Sequence, residues 1–232
     1  MNDVRTFRNG GVRLAYEVAG PADGPPLLLL HALGENRGSW AAVSAALTAD
    51  GWRTVALDLR GHGDSDHPGD YAFEDMRDDV LALLDELGLD EVTLVAHSAG
   101  TVPASLVAMD RPAAVRRLVL EEGPLPFPAD PPRPVSTGPG PEPAGYDWRV
   151  VAAVARQRNA PPARHWEGLA EITAPTLIVA GGPASHLPQH QLAEVAARIP
   201  AARLTTIPAG HMVHDERPAE FVAVTRAFLS EG

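Results

Sequence analysis

Val92-Thr93-Leu94-Val95-Ala96-His97-Ser98-Ala99-Gly100-Thr101 is an apolar, partly β-branched run that stops at a serine between small residues and then resumes as a helical pattern. It predicts a strand, a sharp turn at Ser98 and a helix behind it. Such a turn forces its central residue into strained dihedrals and lifts that side chain clear of the backbone, which requires small residues two positions to either side. Gly100 meets the requirement, and Ala96 adds one methyl where strand and helix crowd. A helix starting behind Ser98 aims its N-terminal amides at whatever the hydroxyl attacks, favouring developing negative charge. Ser98 is therefore the candidate nucleophile.

Strand and helix patterns alternate outward from this turn. Val4 to Phe7 and Val12 to Val18 flank Asn9-Gly10, a dipeptide suited to the positive φ angles of a tight hairpin. Leu27 to Leu30 and Thr54 to Leu59 read as strands buried on both faces. Ser39 to Leu47 reads as a helix closed near Gly51, and Phe73, Met76, Val80, Leu83, Leu84 and Leu87 recur at helical spacing until Gly88. Beyond the turn, Val115 to Leu120, Thr176 to Ala180 and Arg203 to Ile207 read as strands, with helices at Leu192 to Ile199 and Pro218 to Leu229. Alternation of this kind implies an α/β fold, a mostly parallel sheet with helices on both faces and ligands at the carboxyl ends of its strands. His31, Arg60 and Ser98 all lie just past such ends. From Gly123 to about Arg164 proline and glycine crowd around one helical patch, Trp148 to Arg158. The organisation expected is one domain over residues 1–232 with a short cap inserted at 123–168, its prolines from Pro124 to Pro143 closing only loosely over a pocket.

Composition narrows the function. With 30 acidic against 19 basic residues the formal net charge is −11, which argues against a nucleic-acid or anionic-membrane partner. The absence of cysteine excludes disulfides, a thiolate nucleophile and a thiolate metal site. The first residues lead straight into strand pattern without an apolar signal core, and no run of about 18 apolar residues follows, so a cytoplasmic location is expected. A small-molecule substrate is the partner that remains.

His31-Ala32-Leu33-Gly34, Asp58-Leu59-Arg60-Gly61-His62-Gly63-Asp64-Ser65, the turn at Ser98 and Gly210-His211 together resemble the α/β-hydrolase superfamily over nearly the whole chain. The resemblance implies a serine, an acid and a histidine in that chain order, matched here by Ser98, a carboxylate and His211. It implies a structural rather than catalytic role for the Asp58 to Ser65 loop. A serine hydroxyl needs a base titrating near the working pH, and nine histidines compete for that task. His211, in the turn after the last strand, is the choice, with His214 its rival. A metal held by His211, His214 and Asp215 is the weaker alternative, because no further ligand is marked out to complete it. No metal and no cofactor are expected.

The acid departs from the commonest family pattern. Where an aspartate usually follows the strand Thr176 to Ala180, this chain has Ala184, which cannot orient an imidazole. Some branches, including haloalkane dehalogenases, instead place the acid after the preceding strand, which here ends in Glu121-Glu122. That match points to Glu122, with Glu121 facing the other way because neighbours on an extended chain alternate sides. A pair of exposed surface charges is the plainer reading of both. The family's oxyanion hole maps to the backbone amides of Leu33 and Ala99, while Leu33 and Trp40 are candidates for an apolar pocket wall and His97 has no assigned role. The expected activity is a serine hydrolase acting on an ester or lactone through an acyl-enzyme. C–C bond hydrolysis or cofactor-free perhydrolysis on the same residues, and a non-catalytic ligand-binding homologue, are the alternatives.

Overall fold

A computed structural model describes residues 4–138 and 145–231. It opens with a hairpin, β1 (Val4–Asn9) and β2 (Val12–Ala19), whose two-residue turn carries Gly10 at φ 57°. The chain continues through β3 (Pro26–Leu30), α1 (Ala41–Ala49), β4 (Arg53–Leu57), α2 (Phe73–Glu86), β5 (Val92–His97), α3 (Thr101–Asp110) and β6 (Val115–Glu121). Then follow α4 (Trp148–Asn159), α5 (Ala163–Glu167), β7 (Thr176–Ala180), α6 (Gln189–Arg198), β8 (Ala202–Thr206), α7 (Val213–Glu216) and α8 (Pro218–Leu229). The helix expected from Ser39 begins instead as a 3₁₀ turn, Arg37–Trp40, which Asn36 caps by accepting the Gly38 N–H.

All eight strands form one sheet in the order β1-β2-β4-β3-β5-β6-β7-β8, antiparallel at β1-β2 and β2-β4 and parallel from β4 to β8. The continuous apolar runs are explained by helices on both faces. Leu28, Leu30, Leu94, Leu118 and Leu120 face one core with residues of α2, α3 and α6. Leu27, Leu29, Val95 and Val119 face the other, with Trp40, α1 and α8. The period of two that sorts these leucines also sorts the polar residues at the strand ends.

The expected loose lid is corrected over its first half. Gly123 to Pro126 are buried, Phe127 packs on Trp166, and Ala129 N–H donates to Arg158 O at 2.8 Å. Arg133 N–H donates to Asn159 Oδ1 at 2.7 Å, and Asn159 Nδ2 donates back to Arg133 O at 2.9 Å. Proline removes backbone donors, but the donors that remain find acceptors at the end of α4, so this stretch is pinned. The rest of the expected lid, from 139 to Pro143, lies outside the described residues.

Candidate active site

Between β5 and α3 the backbone of Ser98 takes φ 48°, and among the described residues other than glycine only Glu122 shares that left-handed conformation, at φ 52°. The turn packs directly on the end of β3: a Cβ on Gly100 would stand 2.6 Å from His31 O and 2.8 Å from Leu30 O. Glycine is required there by contact with backbone. Ala96, by contrast, has its methyl buried in the core without displacing the strand pairing.

His211 arrives from the loop after β8, next to Gly210 at φ 79°. That loop is tied to the end of β7, since Ala209 and Gly210 N–H donate to Gly181 O at 3.1 and 2.9 Å. A Cβ on Gly181 would lie 1.8 Å from Gly210 O, so glycine permits the approach. His211 Nε2 stands 2.9 Å from Ser98 Oγ and Nδ1 stands 3.1 Å from Glu122 Oε2. With an ionised carboxylate at Nδ1, the neutral ring carries its proton there and leaves Nε2 to accept from the serine hydroxyl.

Glu122 is 1% exposed, not a surface charge. It accepts the Gly181 N–H at 2.5 Å, Gln189 Nε2 at 3.2 Å and the Ser185 hydroxyl. Burial alone would raise its pKa, but bonds from His211, Ser185, Gly181 and Gln189 outweigh burial and hold it below the ordinary carboxylate value. Sequence reasoning missed Ser185 and Gln189. Their signal was indirect: a buried carboxylate needs several donors, and the segment after β7 lies beside this one.

Ser98, Glu122, Leu33 and Ala99 line one cleft of about 420 Å³. The Leu33 amide donates to no group among the described residues, and Ala99 lies in the first turn after β5, where amides are left without helical partners. Trp40 is absent from this cleft: it is wholly buried under the sheet and stacks on His214 with centroids 4.1 Å apart. His31 is no base. Burial, and then His62, push it down to about 3; its Nδ1 donates to Ala32 O at 2.7 Å, and Nε2 accepts Leu59 N–H at 3.0 Å, linking the Leu33 loop to β4. Asp58, Arg60 and Ser65 are likewise spent on the fold, as in the pair Arg60–Asp79 with bonds of 2.6 and 2.8 Å.

Glu121, expected to be an idle neighbour, is fully buried on the opposite side of β6. It accepts His214 Nδ1 at 2.7 Å and the His214 N–H at 2.9 Å, so His214 faces away from Ser98. His97 joins the same layer: Nε2 donates to His211 O at 2.9 Å, Nδ1 faces Glu35 Oε2 at 3.5 Å, and the Glu35 carboxylate accepts Ala32 N–H at 3.1 Å. The structure therefore separates His211 from His214, and the alternative metal group with Asp215 does not assemble. Glu35, His97 and His214 are the described residues whose ligand atoms do converge, within 4.8 Å of one another.

The candidate site sits on a recognisable frame. Residues 25–140, half of the chain, match the alpha/beta hydrolase fold family. The sn-1-specific diacylglycerol lipase ABHD11 of Mus musculus is 27% identical over 94% of this chain and 85% of its own length. A hydrolase from Pseudomonas aeruginosa PA01 superposes with a TM-score of 0.83 at 26% identity, covering 99% of both chains. A thermophilic esterase from Thermogutta terrifontis gives 0.82 at 25% identity, covering 97% of this chain and 96% of its own. Sheet order, the sharp turn after β5 and these likenesses agree, and the chain belongs to the α/β-hydrolase family.

Proposed function

We propose that the chain is a serine hydrolase cleaving an ester or lactone of a small organic substrate through an acyl-enzyme. The observation that carries this reading is the unbroken line Ser98 Oγ, His211 Nε2, His211 Nδ1, Glu122 Oε2, with steps of 2.9 and 3.1 Å across the ring. The names of the mouse lipase and the Thermogutta esterase support an ester as substrate. Among the described residues no helix is long and apolar enough to cross a membrane.

In this reading Ser98 Oγ attacks the scissile carbonyl while His211 Nε2 takes its proton and Glu122 stabilises the resulting imidazolium. The carbonyl oxygen, now negative, accepts hydrogen bonds from the Leu33 and Ala99 amides, each contributing roughly 3 kcal/mol to the transition state. His211 then passes its proton to the leaving alcohol. Water, deprotonated by the same nitrogen, attacks the acyl-enzyme and releases the acid and Ser98. A fluorophosphonate probe is expected to label Ser98 in the folded protein. Ser98→Ala is expected to abolish labelling and lower ester turnover by roughly a thousand-fold or more while leaving the circular dichroism unchanged. Turnover retained by Ser98→Ala on every ester the parent cleaves refutes the assignment.

A further inference from the structure

The cleft around Ser98 is mostly apolar, with Leu33, Phe73, Val102, Leu125, Val154 and Leu187 in its walls, yet it also receives two arginines, Arg133 and Arg158. Neither guanidinium has an ion pair or hydrogen bond with any described residue. Arg5, Arg53 and Arg156 likewise have no ion pair among the described residues, but none of them lines this cleft, and the chain has 30 acidic residues to 19 basic ones. Arg37, Arg60, Arg77, Arg111, Arg164 and Arg226 all find carboxylates.

The two unpaired arginines are also held near each other. The reciprocal bonds between Arg133 and Asn159, and the bond from Ala129 N–H to Arg158 O, fix the segment before 138 against the end of α4. Burial, and then the charge of Arg133, push the Arg158 guanidinium down to about 10, so the protein bears a cost for this placement. Like charges clamped together in a half-apolar cleft are what a binding site for an anion requires, and a planar guanidinium matches a carboxylate in two-point fashion. An acidic protein repels anions at long range, which makes local cations the means of admitting one.

We propose that Arg133 and Arg158 bind a substrate carboxylate, so that the substrates are esters or lactones bearing a free carboxylate beyond a short apolar spacer from the scissile carbonyl. This rests on the serine-hydrolase reading for the reaction but not for the binding. Methyl hydrogen succinate, glutarate and adipate are compared with methyl esters of equal length lacking the carboxylate, by proton release at constant pH. A half-ester is expected to exceed its neutral counterpart in kcat/KM by roughly ten- to hundred-fold, mainly through KM. Arg158→Gln and Arg133→Gln are each expected to remove most of that preference, losing far more on the half-ester than on the neutral ester. Equal rates on the two series, or equal losses on both in the variants, overturn the proposal.

Competition separates carboxylate from phosphate recognition. Glutarate inhibits in the proposed case, whereas inhibition by inorganic phosphate alone overturns it. If no ester is cleaved and the fluorophosphonate does not label Ser98, the catalytic reading fails and the arginines are judged by binding. Calorimetry of methyl hydrogen glutarate with Ser98→Ala protein then supports the site if heat is seen and lost on adding Arg158→Gln, and overturns it if no binding is seen.

Discussion

Two consecutive glutamates at the end of β6 each hold a histidine from the region after β8, on opposite sides of the sheet. Glu122 meets His211, whose side chain is 18% exposed and whose second nitrogen reaches Ser98 in the cleft. Glu121 meets His214, and both of those side chains are 0% exposed. Trp40 stacks on the His214 ring, Phe221 stands 6.0 Å away, and His214 Nε2 has no hydrogen-bond partner among the described residues. One carboxylate–imidazole pair is thus open to a reacting group and the other is sealed. The chemistry of the residues is alike; Glu121 ends β6 facing α7, while the left-handed turn at Glu122 carries the next carboxylate to the cleft.

The largest expected effect breaks the open pair. Glu122→Gln leaves His211 without a charge to stabilise its protonated form and permits the wrong tautomer, so turnover should fall by up to ~10⁴-fold, as for a triad acid in serine proteases. The protein should remain folded by circular dichroism. A loss of only a few-fold reduces the site to a serine–histidine dyad. Next in size is a partial recovery. Residue 184 borders the base loop, its carbonyl carbon and Cβ lying 3.7 and 3.9 Å from where a Cβ on Gly210 would stand. Ala184→Asp in the Glu122→Gln background should therefore regain part of the lost turnover, measured on the same ester; no gain at all says that residue 184 cannot reach the ring.

The sealed pair should respond in stability instead. Glu121 accepts from two donors of His214, and glutamine in its place presents an amide N–H₂ to one of them. An unsatisfied buried donor costs about 1–3 kcal/mol, which in a domain of this size lowers the melting temperature by a few degrees per kcal/mol. Turnover of Glu121→Gln measured well below its melting temperature should fall less than Glu122→Gln by orders of magnitude. If Glu121→Gln is the variant that loses turnover, the roles of the two pairs are exchanged.

The sheet was legible because its signals are local and periodic: paired apolar runs, Asn9-Gly10, and helix stops at Gly51 and Gly88. Ser98 and Glu122 were legible from their places at strand ends. What sequence reading lost were contacts between distant segments. The donors around Glu122 come from a segment beyond β7, and Glu121 reads as idle unless His214 is known to fold behind it. The proline-rich stretch misled in the same way, because the acceptors that pin residues 129 and 133 belong to α4. Trp40 was ambiguous between pocket and core, and its burial under His214 was a question of tertiary packing alone.

The smallest expected effect sharpens the open pair further. Glu122 must be ionised to hold the imidazolium, and it is buried, so its ionisation depends on donors; Ser185 is one of them. Ser185→Ala removes a bond made to the charged form, which lets the Glu122 pKa climb back toward or above its ordinary value. The sign follows from linkage. A carboxylate whose folded pKa is depressed stabilises the fold above its unfolded pKa and loses that contribution as pH falls through the folded value. With a smaller depression the variant should lose stability and turnover sooner on acidification. The midpoint of its acid unfolding, followed by circular dichroism, should therefore move to higher pH, while turnover at pH 8 should drop by less than about ten-fold, in keeping with one charged hydrogen bond out of several. Ser185→Thr, which keeps the hydroxyl, should return the midpoint to its original position. Glu121 makes no such bond with Ser185, so a shift of the acid-unfolding midpoint in Ser185→Ala that persists when Glu122 is already glutamine would assign it to some other group.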